Sequence, residues 1–266
     1  MAQEKWSING EKVIDVDGVS RLKVALVAGQ INIIGHDEPG VRVEVHSVTG
    51  KDLLVKLDGE TLEIDHPQLR WDNFVEVFGS FRGSARAELS IRVPRGVSLT
   101  FGVVSASALI SGLTAGGSIS TISGDIVIDG LCGELQLNAV NGELSVRNHE
   151  GSINAHTISA DLTASGAVSK LTADTVTGDV FLDLEGVPDE VRLNTVSGDA
   201  TVRLASGLAV RYRINSVSGR VQIDDSEIRG VRGGYVGSYG ALDEHWLDFA
   251  ANTVSGRVSV LHQVSA

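Results

Sequence analysis

The sequence predicts an all-β protein and, more narrowly, a single-chain β-solenoid with about eighteen residues in each turn. Three observations lead to this prediction. A phrase of nine residues recurs through the middle of the chain; glycine is abundant, with 31 residues against 4 prolines; and helix-forming runs are rare. A fixed short period is the signature of stacked repeats, and glycine suits the many tight turns that such repeats need.

The strands of the first part are longer and less regular than the repeat. Residues 22–35, 41–48, 52–65 and 87–94 alternate apolar and polar side chains, which is typical of strands with one buried face. We therefore expect residues 1–101 to form a β-rich lead-in and cap, continuous with a regular solenoid over 102–266. The two parts together are expected to form one structural domain.

The repeat itself runs from residue 121 in phrases such as TISGDIVID, TISADLTAS and TVTGDVFLD. A small residue stands at the corner of each phrase, and aliphatic residues follow it at the second and fourth positions. Because alternate residues of a strand point to opposite faces, both positions should point inward, into a core shared by turns stacked about 4.8 Å apart. These inward positions are Ile126 and Ile128, Leu135 and Leu137, Leu144 and Val146, Ile153 and Ala155, Leu162 and Ala164, Leu171 and Ala173, and Val180 and Leu182.

A second set of aliphatic residues marks the other half of each turn. Successive members are 18 residues apart four times, and then 20, 21 and 37 apart, so the last step contains an insertion at about 228–251. The final strand, RVSVLHQV, is a candidate for pairing with another copy of the chain. The set comprises Val104, Ile122, Val140, Ile158, Val176, Val196, Val217 and Val254.

Eight of the twelve aromatic residues lie in two segments that interrupt the repeat. One interpretation is that these segments are caps packed on the solenoid. The other is that they form an interface for a protein partner, for self-association or for carbohydrate, because aromatic residues are enriched in recognition surfaces. The candidate interaction residues are Trp71, Phe74, Phe78 and Phe81 in the first segment and Tyr235, Tyr239, Trp246 and Phe249 in the second.

The polar residues of the corners are better explained by structure than by metal binding. Acidic residues such as Asp161 and Asp179 follow the corner, but Arg220 and Arg257 take the same position in two copies, and arginine cannot bind calcium. Threonine or serine precedes the second aliphatic set, often after asparagine. We expect these residues to form hydrogen-bonded ladders between turns, and we predict no metal and no cofactor.

Composition narrows the classes of function. The chain carries 34 acidic and 22 basic residues, a net charge of −12, which disfavours nucleic acid as a partner. Its single cysteine, Cys132, cannot form an internal disulfide, and its seven histidines are scattered, so no catalytic site is expected. We see neither a signal peptide nor a transmembrane segment, and a cytoplasmic location is the expectation.

The phrases TISGDIVID, TVTGDVFLD, NTVSGDATV, NSVSGRVQI and NTVSGRVSV resemble the β-strand-repeat family named "putative adhesin", domain of unknown function 4097. The resemblance extends over about residues 20–262. It implies a bacterial β-solenoid, with some members associated with envelope-stress responses in Gram-positive bacteria, and it carries over no catalytic residue. We therefore expect a non-catalytic scaffold or interaction module. The alternative is a carbohydrate- or envelope-binding protein that uses its aromatic segments, and a distant third is a polysaccharide-active enzyme.

Overall fold

The computed structural model describes residues 3–66, 85–228, 234–242 and 245–263. These residues form 22 strands and no helix, so the prediction of an all-β fold is confirmed. Internal contacts divide the chain into two units, Met1–Gly133 and Glu134–Ala266. The boundary predicted at residue 101 stays a prediction.

The first unit is organised around one long strand, β3, which lies between strands that follow it in sequence. Along one edge β3 pairs in parallel with β8, and along the other it pairs in parallel with β6 and then β7. Antiparallel strands continue outward, β5 and β1 from β6, and β4 and β2 from β7. The strands are β1 (Gln3–Ile8), β2 (Lys12–Val16), β3 (Arg21–His36), β4 (Val41–Thr49), β5 (Leu53–Asp58), β6 (Thr61–Asp65), β7 (Arg86–Pro94), β8 (Ser98–Ser111), β9 (Gly117–Ser123) and β10 (Ile126–Asp129); β11 (Cys132–Asn141) contains the boundary.

The second unit consists of two strands of 15 residues followed by shorter strands, which pair mainly in parallel at intervals close to the repeat length. Leu144 pairs with Leu162, and Leu162 with Val180, each 18 residues further on. The strands are β12 (Glu143–Thr157), β13 (Asp161–Thr175), β14 (Val180–Leu184), β15 (Glu190–Thr195), β16 (Ala200–Leu204), β17 (Val210–Ser216), β18 (Val221–Ile223), β19 (Ser226–Ile228), β20 (Tyr235–Tyr239), β21 (Leu247–Thr253) and β22 (Val258–His262).

The predicted inward pattern is confirmed. All fourteen aliphatic residues assigned to the inside are between 0% and 4% exposed. Burial of this apolar surface stabilises the fold by roughly 25 cal/mol per Å². The residues that form the core of the repeat are therefore those that the period of the sequence predicts.

The order of the strands in space differs from their order in the chain. The last two strands do not follow β17 and β18 at the end of the stack. Instead, β21 lies between β15 and β17, and β22 lies between β16 and β18. Because both edges of β22 are paired within the chain, the prediction that it pairs with another copy is wrong. The stack ends on two antiparallel strands, β20 beside β17 and β19 beside β18.

Of the polar ladders predicted for the corners, the asparagine ladder is present. The threonine ladder is not, because Thr175, Thr195 and Thr253 donate to carbonyls three residues further on in their own corners rather than across turns. An amide chain connects four turns, in which Asn215 donates to Asn252, Asn252 to Asn194, and Asn194 to Asp174 over 2.6–2.8 Å. A second ladder follows the corner acids, because the backbone N–H of each turn donates to a carboxylate of the previous one. The donor and acceptor residues are Asp179 to Asp161, Asp199 to Asp179, and Arg257 to Asp199.

One buried histidine makes the first unit sensitive to acid. His66 is fully buried; its Nδ1 accepts the backbone N–H of Val27 at 3.3 Å, and its Nε2 has no partner among the described residues. Burial penalises the charged imidazolium and lowers the pKa of His66 from 6.5 to about 4. Neutral His66 therefore supports the fold, and this contribution is lost as the pH falls from about 6.5 through 4.

We expect the free energy of unfolding to fall by about 3 kcal/mol more in the wild type than in His66→Leu over this pH window. The reason is that, between pH 6.5 and 4, the imidazole of His66 binds a proton in the unfolded chain but stays neutral in the folded chain. Urea unfolding at several pH values measures the difference, with His156→Gln, a change at an exposed histidine, as the control. Identical pH profiles for the wild type and His66→Leu would contradict the assignment.

Candidate binding cleft

The end of the second unit contains an open cleft of about 420 Å³. It is built from the loop after β16, the turn between β18 and β19, strand β20, and the end of β22. These segments are adjacent because β22 is inserted beside β18. The lining residues are Ser206, Gly207, Asp224, Asp225, Tyr239, Leu261, His262 and Gln263.

A strained turn places the first carboxylate. Asp224 lies in the two-residue turn of the β18–β19 hairpin and has a φ of 50°, a conformation that aspartate tolerates better than most residues. Its Oδ1 accepts the backbone N–H of His262 at 2.8 Å, and both of its carboxylate oxygens lie 3.0–3.1 Å from Nδ1 of the same histidine. The turn therefore fixes β22 and the imidazole together.

The imidazole of His262 has partners at both ring nitrogens. Nδ1 faces Asp224, and Nε2 lies 3.4 Å from the hydroxyl of Tyr212, which is 1% exposed. Burial, reinforced by the nearby charge of Asp224, raises the pKa of Tyr212, so its hydroxyl stays protonated and can donate to Nε2. With Tyr212 as donor, Nδ1 carries the ring proton and donates to the carboxylate.

An aromatic ring covers this imidazole. Tyr239 stacks on His262 with ring centroids 3.8 Å apart and planes 17° apart, and its residue remains 38% exposed. The cleft thus offers an exposed aromatic ring beside Asp224 and the exposed Asp225. This surface suits a cation or a set of hydroxyl groups.

The predicted aromatic residues occupy different environments. Phe249 is fully buried and meets the edge of Tyr212 at 5.9 Å, so it belongs to the core and presents no surface to a partner. Trp246 lies 5.9 Å beneath the guanidinium of Arg211, which also forms two hydrogen bonds with Asp248.

The remaining members are divided between the cleft and residues that are not described. Tyr235 is half-buried, 6.5 Å from the ring of Tyr212, and Tyr239 alone of the four residues in the second segment lines the cleft. The first segment lies outside the described residues, with Trp71, Phe74, Phe78 and Phe81.

Sequence reasoning missed Tyr212, Asp224 and His262. The one available signal was the Asp-Asp pair between two short apolar runs, which is typical of a hairpin turn. No signal connected that turn to a histidine 38 residues further on.

A second cleft, of about 390 Å³, lies in the first unit and is dominated by ion pairs. Arg42 donates to Asp15 at 2.7 Å, and this hydrogen bond lowers the pKa of the Asp15 carboxyl. Its lining contains no tryptophan, tyrosine or phenylalanine, and its principal charges neutralise each other. It is therefore the weaker candidate for a binding site.

Within residues 3–66, 85–228, 234–242 and 245–263, no group of three or more histidine, cysteine or acidic side chains is arranged to hold a metal. Across the same ranges, no helix has the length and apolar character needed to cross a membrane.

The fold and the cleft define an all-β repeat protein with a polar and aromatic surface at one end of its second unit. Residues 19–260 match the model of the Toastrack DUF4097 family, and the chain belongs to that family. The resemblance carried by the repeated phrases is thereby confirmed.

Two solved structures are similar to this chain. One is a "putative cell adhesion protein" from Clostridium sporogenes ATCC 15579, with 15% identity over 95% of this chain and 100% of that chain, and a TM-score of 0.30. The other is a "putative lipid binding protein" from Parabacteroides distasonis ATCC 8503, with 10% identity over 96% of this chain and 97% of that chain, and a TM-score of 0.49. No curated protein matches the chain. These similarities are too distant to assign a ligand.

Proposed function

We propose that the protein is a non-catalytic interaction module, built on a β-solenoid, whose cleft binds a basic side chain of a protein partner. The observation that carries the proposal is the composition of the cleft. It offers two carboxylates and an exposed aromatic ring, while its imidazole is held between Asp224 and Tyr212.

The solenoid part of the proposal rests on the parallel pairing of the second unit. Inward residues recur at 18-residue intervals, and amide and carboxylate ladders connect successive turns. Such an arrangement forms a stiff scaffold whose surface, rather than its interior, contacts partners. The association of some family members with envelope stress stays part of this proposal as its expected cellular setting.

A lysine or arginine side chain fits the cleft for two reasons. Its charge is attracted by Asp224 and Asp225, and its alkyl or guanidinium group can lie against the ring of Tyr239. The net charge of −12 also favours encounter with basic surfaces.

The second candidate is carbohydrate binding, which the same ring favours. A sugar face could stack on Tyr239, while Asp225 and Gln263 form hydrogen bonds with its hydroxyl groups. The two candidates differ in their response to salt, because only the charged ligand loses affinity steeply as the ionic strength rises.

Titration of the full chain with a lysine-rich peptide, an acidic peptide and maltohexaose separates the two candidates. We expect the lysine-rich peptide alone to bind, and Tyr239→Ala and Asp225→Asn each to weaken it by about tenfold, the effect of roughly 1.4 kcal/mol. Val236→Thr is the matched control, because Val236 lies on the same strand, is 79% exposed and does not line the cleft.

Binding of maltohexaose alone would support the second candidate against the first. Peptide binding that is unchanged in Tyr239→Ala would place the contact elsewhere and contradict the proposal. Binding of none of the three probes would contradict both candidates.

A further inference from the structure

The corners of the second unit carry an exposed row of aliphatic side chains, which we call the corner ridge. Its members belong to the second aliphatic set, and each follows a buried threonine or serine or, at the first position, a buried alanine. In spatial order they are Val140 (39% exposed), Ile158 (51%), Val176 (42%), Val196 (46%), Val254 (46%) and Val217 (66%).

The ridge is continuous because backbone hydrogen bonds align its members. In each step, the residue after one ridge member donates its N–H to the carbonyl of the preceding ridge member at 2.8–2.9 Å. Five steps of about 4.8 Å give a row about 24 Å long. The donor and acceptor residues are Ser159 to Val140, Thr177 to Ile158, Ser197 to Val176, Ser255 to Val196, and Ser218 to Val254.

The hydroxyl groups beside the ridge already have partners. The side chains of Thr177, Ser197, Ser255 and Ser218 donate to the same carbonyls at 3.1–3.4 Å. Covering the ridge therefore removes apolar surface from water without leaving these donors unsatisfied. A contiguous row of exposed aliphatic residues that is rimmed by polar side chains is a feature of interaction surfaces.

A charged row runs beside the ridge, three residues after each of its members. From one end to the other it changes from acidic to basic, so the two ends of the ridge carry opposite charge. The row reads Glu143, Asp161, Asp179, Asp199, Arg257 and Arg220, and all six residues are exposed. The two arginines are neighbours only because β22 is inserted between β16 and β18.

We propose that the corner ridge pairs with the corner ridge of a second copy in an antiparallel, two-fold symmetric dimer. The two-fold axis of this dimer lies in the interface and is perpendicular to the ridges. Rotation about it reverses the direction of one ridge relative to the other, and it places the charged rows of both copies on the same side of the paired ridges. Asp161 of each copy then lies beside Arg257 of the other. A parallel pairing would place the charged rows on opposite sides, where they could not interact.

The charges also limit the strength of the dimer. Asp179 of one copy faces Asp199 of the other, which opposes association at the centre. A row of six aliphatic side chains covers less area than a standard specific interface, so the dimer is weak and reversible. An anionic lipid surface does not fit the ridge, because four of the six residues beside it are acidic.

Sedimentation of the full chain over a concentration series tests the proposal. We expect a monomer–dimer equilibrium that Val196→Asp weakens at least tenfold, whereas Val187→Asp, which alters a 56% exposed valine outside the ridge, leaves it unchanged. Circular dichroism melting confirms that each variant is folded.

Charge reversal tests the antiparallel arrangement separately. Arg257→Glu is expected to weaken the dimer, and the double variant Asp161→Lys with Arg257→Glu to restore it, because the opposite charges meet again across the interface. A folded chain that stays monomeric at all concentrations, or a dimer that Val196→Asp leaves intact, overturns the proposal. Failure of the double variant to restore the dimer overturns the antiparallel pairing. None of the ridge residues lines the cleft, so the result is independent of the proposed partner binding.

Discussion

Replacing Leu144 with aspartate is expected to unfold the second unit. Leu144 is 1% exposed and stands in an inward column with Leu162 and Val180. A carboxylate at this position has no counter-charge inside the core, and the cost should reach about 4 kcal/mol or more, a large part of the stability of an ordinary domain. Thermal melting followed by far-ultraviolet circular dichroism measures the loss.

The matched control is Val176→Asp in dilute solution. Val176 is an aliphatic residue of the same repeat, one position past the end of β13, and it is 42% exposed. We expect this variant to change the free energy of unfolding by no more than about 0.5 kcal/mol. Equal melting temperatures for the two variants would contradict the inward and outward assignment of the repeat.

The second large effect is expected from Gly198→Ala. A Cβ at Gly198 would lie 2.0 Å from the carbonyl oxygen of Gly178, and a Cβ at Gly256 in the next turn would lie 2.0 Å from the carbonyl oxygen of Gly198. The obstructing atoms belong to the backbone, so neighbouring turns must move apart to admit a methyl group. We expect a loss of about 3–5 kcal/mol in the free energy of unfolding, measured by urea titration.

Gly96→Ala serves as the comparison for this substitution. A Cβ at Gly96 would have no heavy atom within 4 Å, and its φ does not require glycine. This variant should be neutral or slightly stabilised, because alanine reduces the freedom of the unfolded chain. A similar loss for both variants would mean that the close stacking of the corners does not limit stability.

The sequence was most informative where local rules decide the structure. The recurrence of aliphatic residues two and four positions after each corner identifies the buried face of each strand, as with Ile126 and Ile128, which are fully buried on either side of the half-buried Val127. The recurrence of Asn194 and Asn252 at one phase predicted the amide ladder, because equivalent side chains of parallel strands lie side by side.

The order of the turns could not be read from the sequence. The 37-residue step before Val254 indicated an insertion, but nothing local indicated that the last turn lies between two earlier ones. Strand pairing over 58 residues, as between Val191 and Phe249, depends on the whole core rather than on the segments themselves.

The candidate sites were hidden for related reasons. Val176 and Val196 are aliphatic, as core residues are. They point outward because each follows a buried threonine by one residue. The cleft combines four separate segments, represented by Ser206, Asp224, Tyr239 and His262. Of the aromatic residues predicted from the sequence to form an interface, Tyr239 lines the cleft, whereas Phe249 is buried in the core.

The insertion of the last turn underlies both the cleft and the corner ridge, and paired cysteines test it most directly. In a Cys132→Ser background, cysteines replace Val196 and Val254 in one variant and Val196 and Val217 in another. Turns in contact are about 4.8 Å apart and turns separated by one other are about 10 Å apart, whereas a disulfide needs Cα atoms closer than about 7 Å. Mild oxidation followed by peptide mass mapping should find the disulfide between positions 196 and 254 and none between 196 and 217. A disulfide between 196 and 217 with none between 196 and 254 would mean that the turns stack in chain order, and would contradict this account.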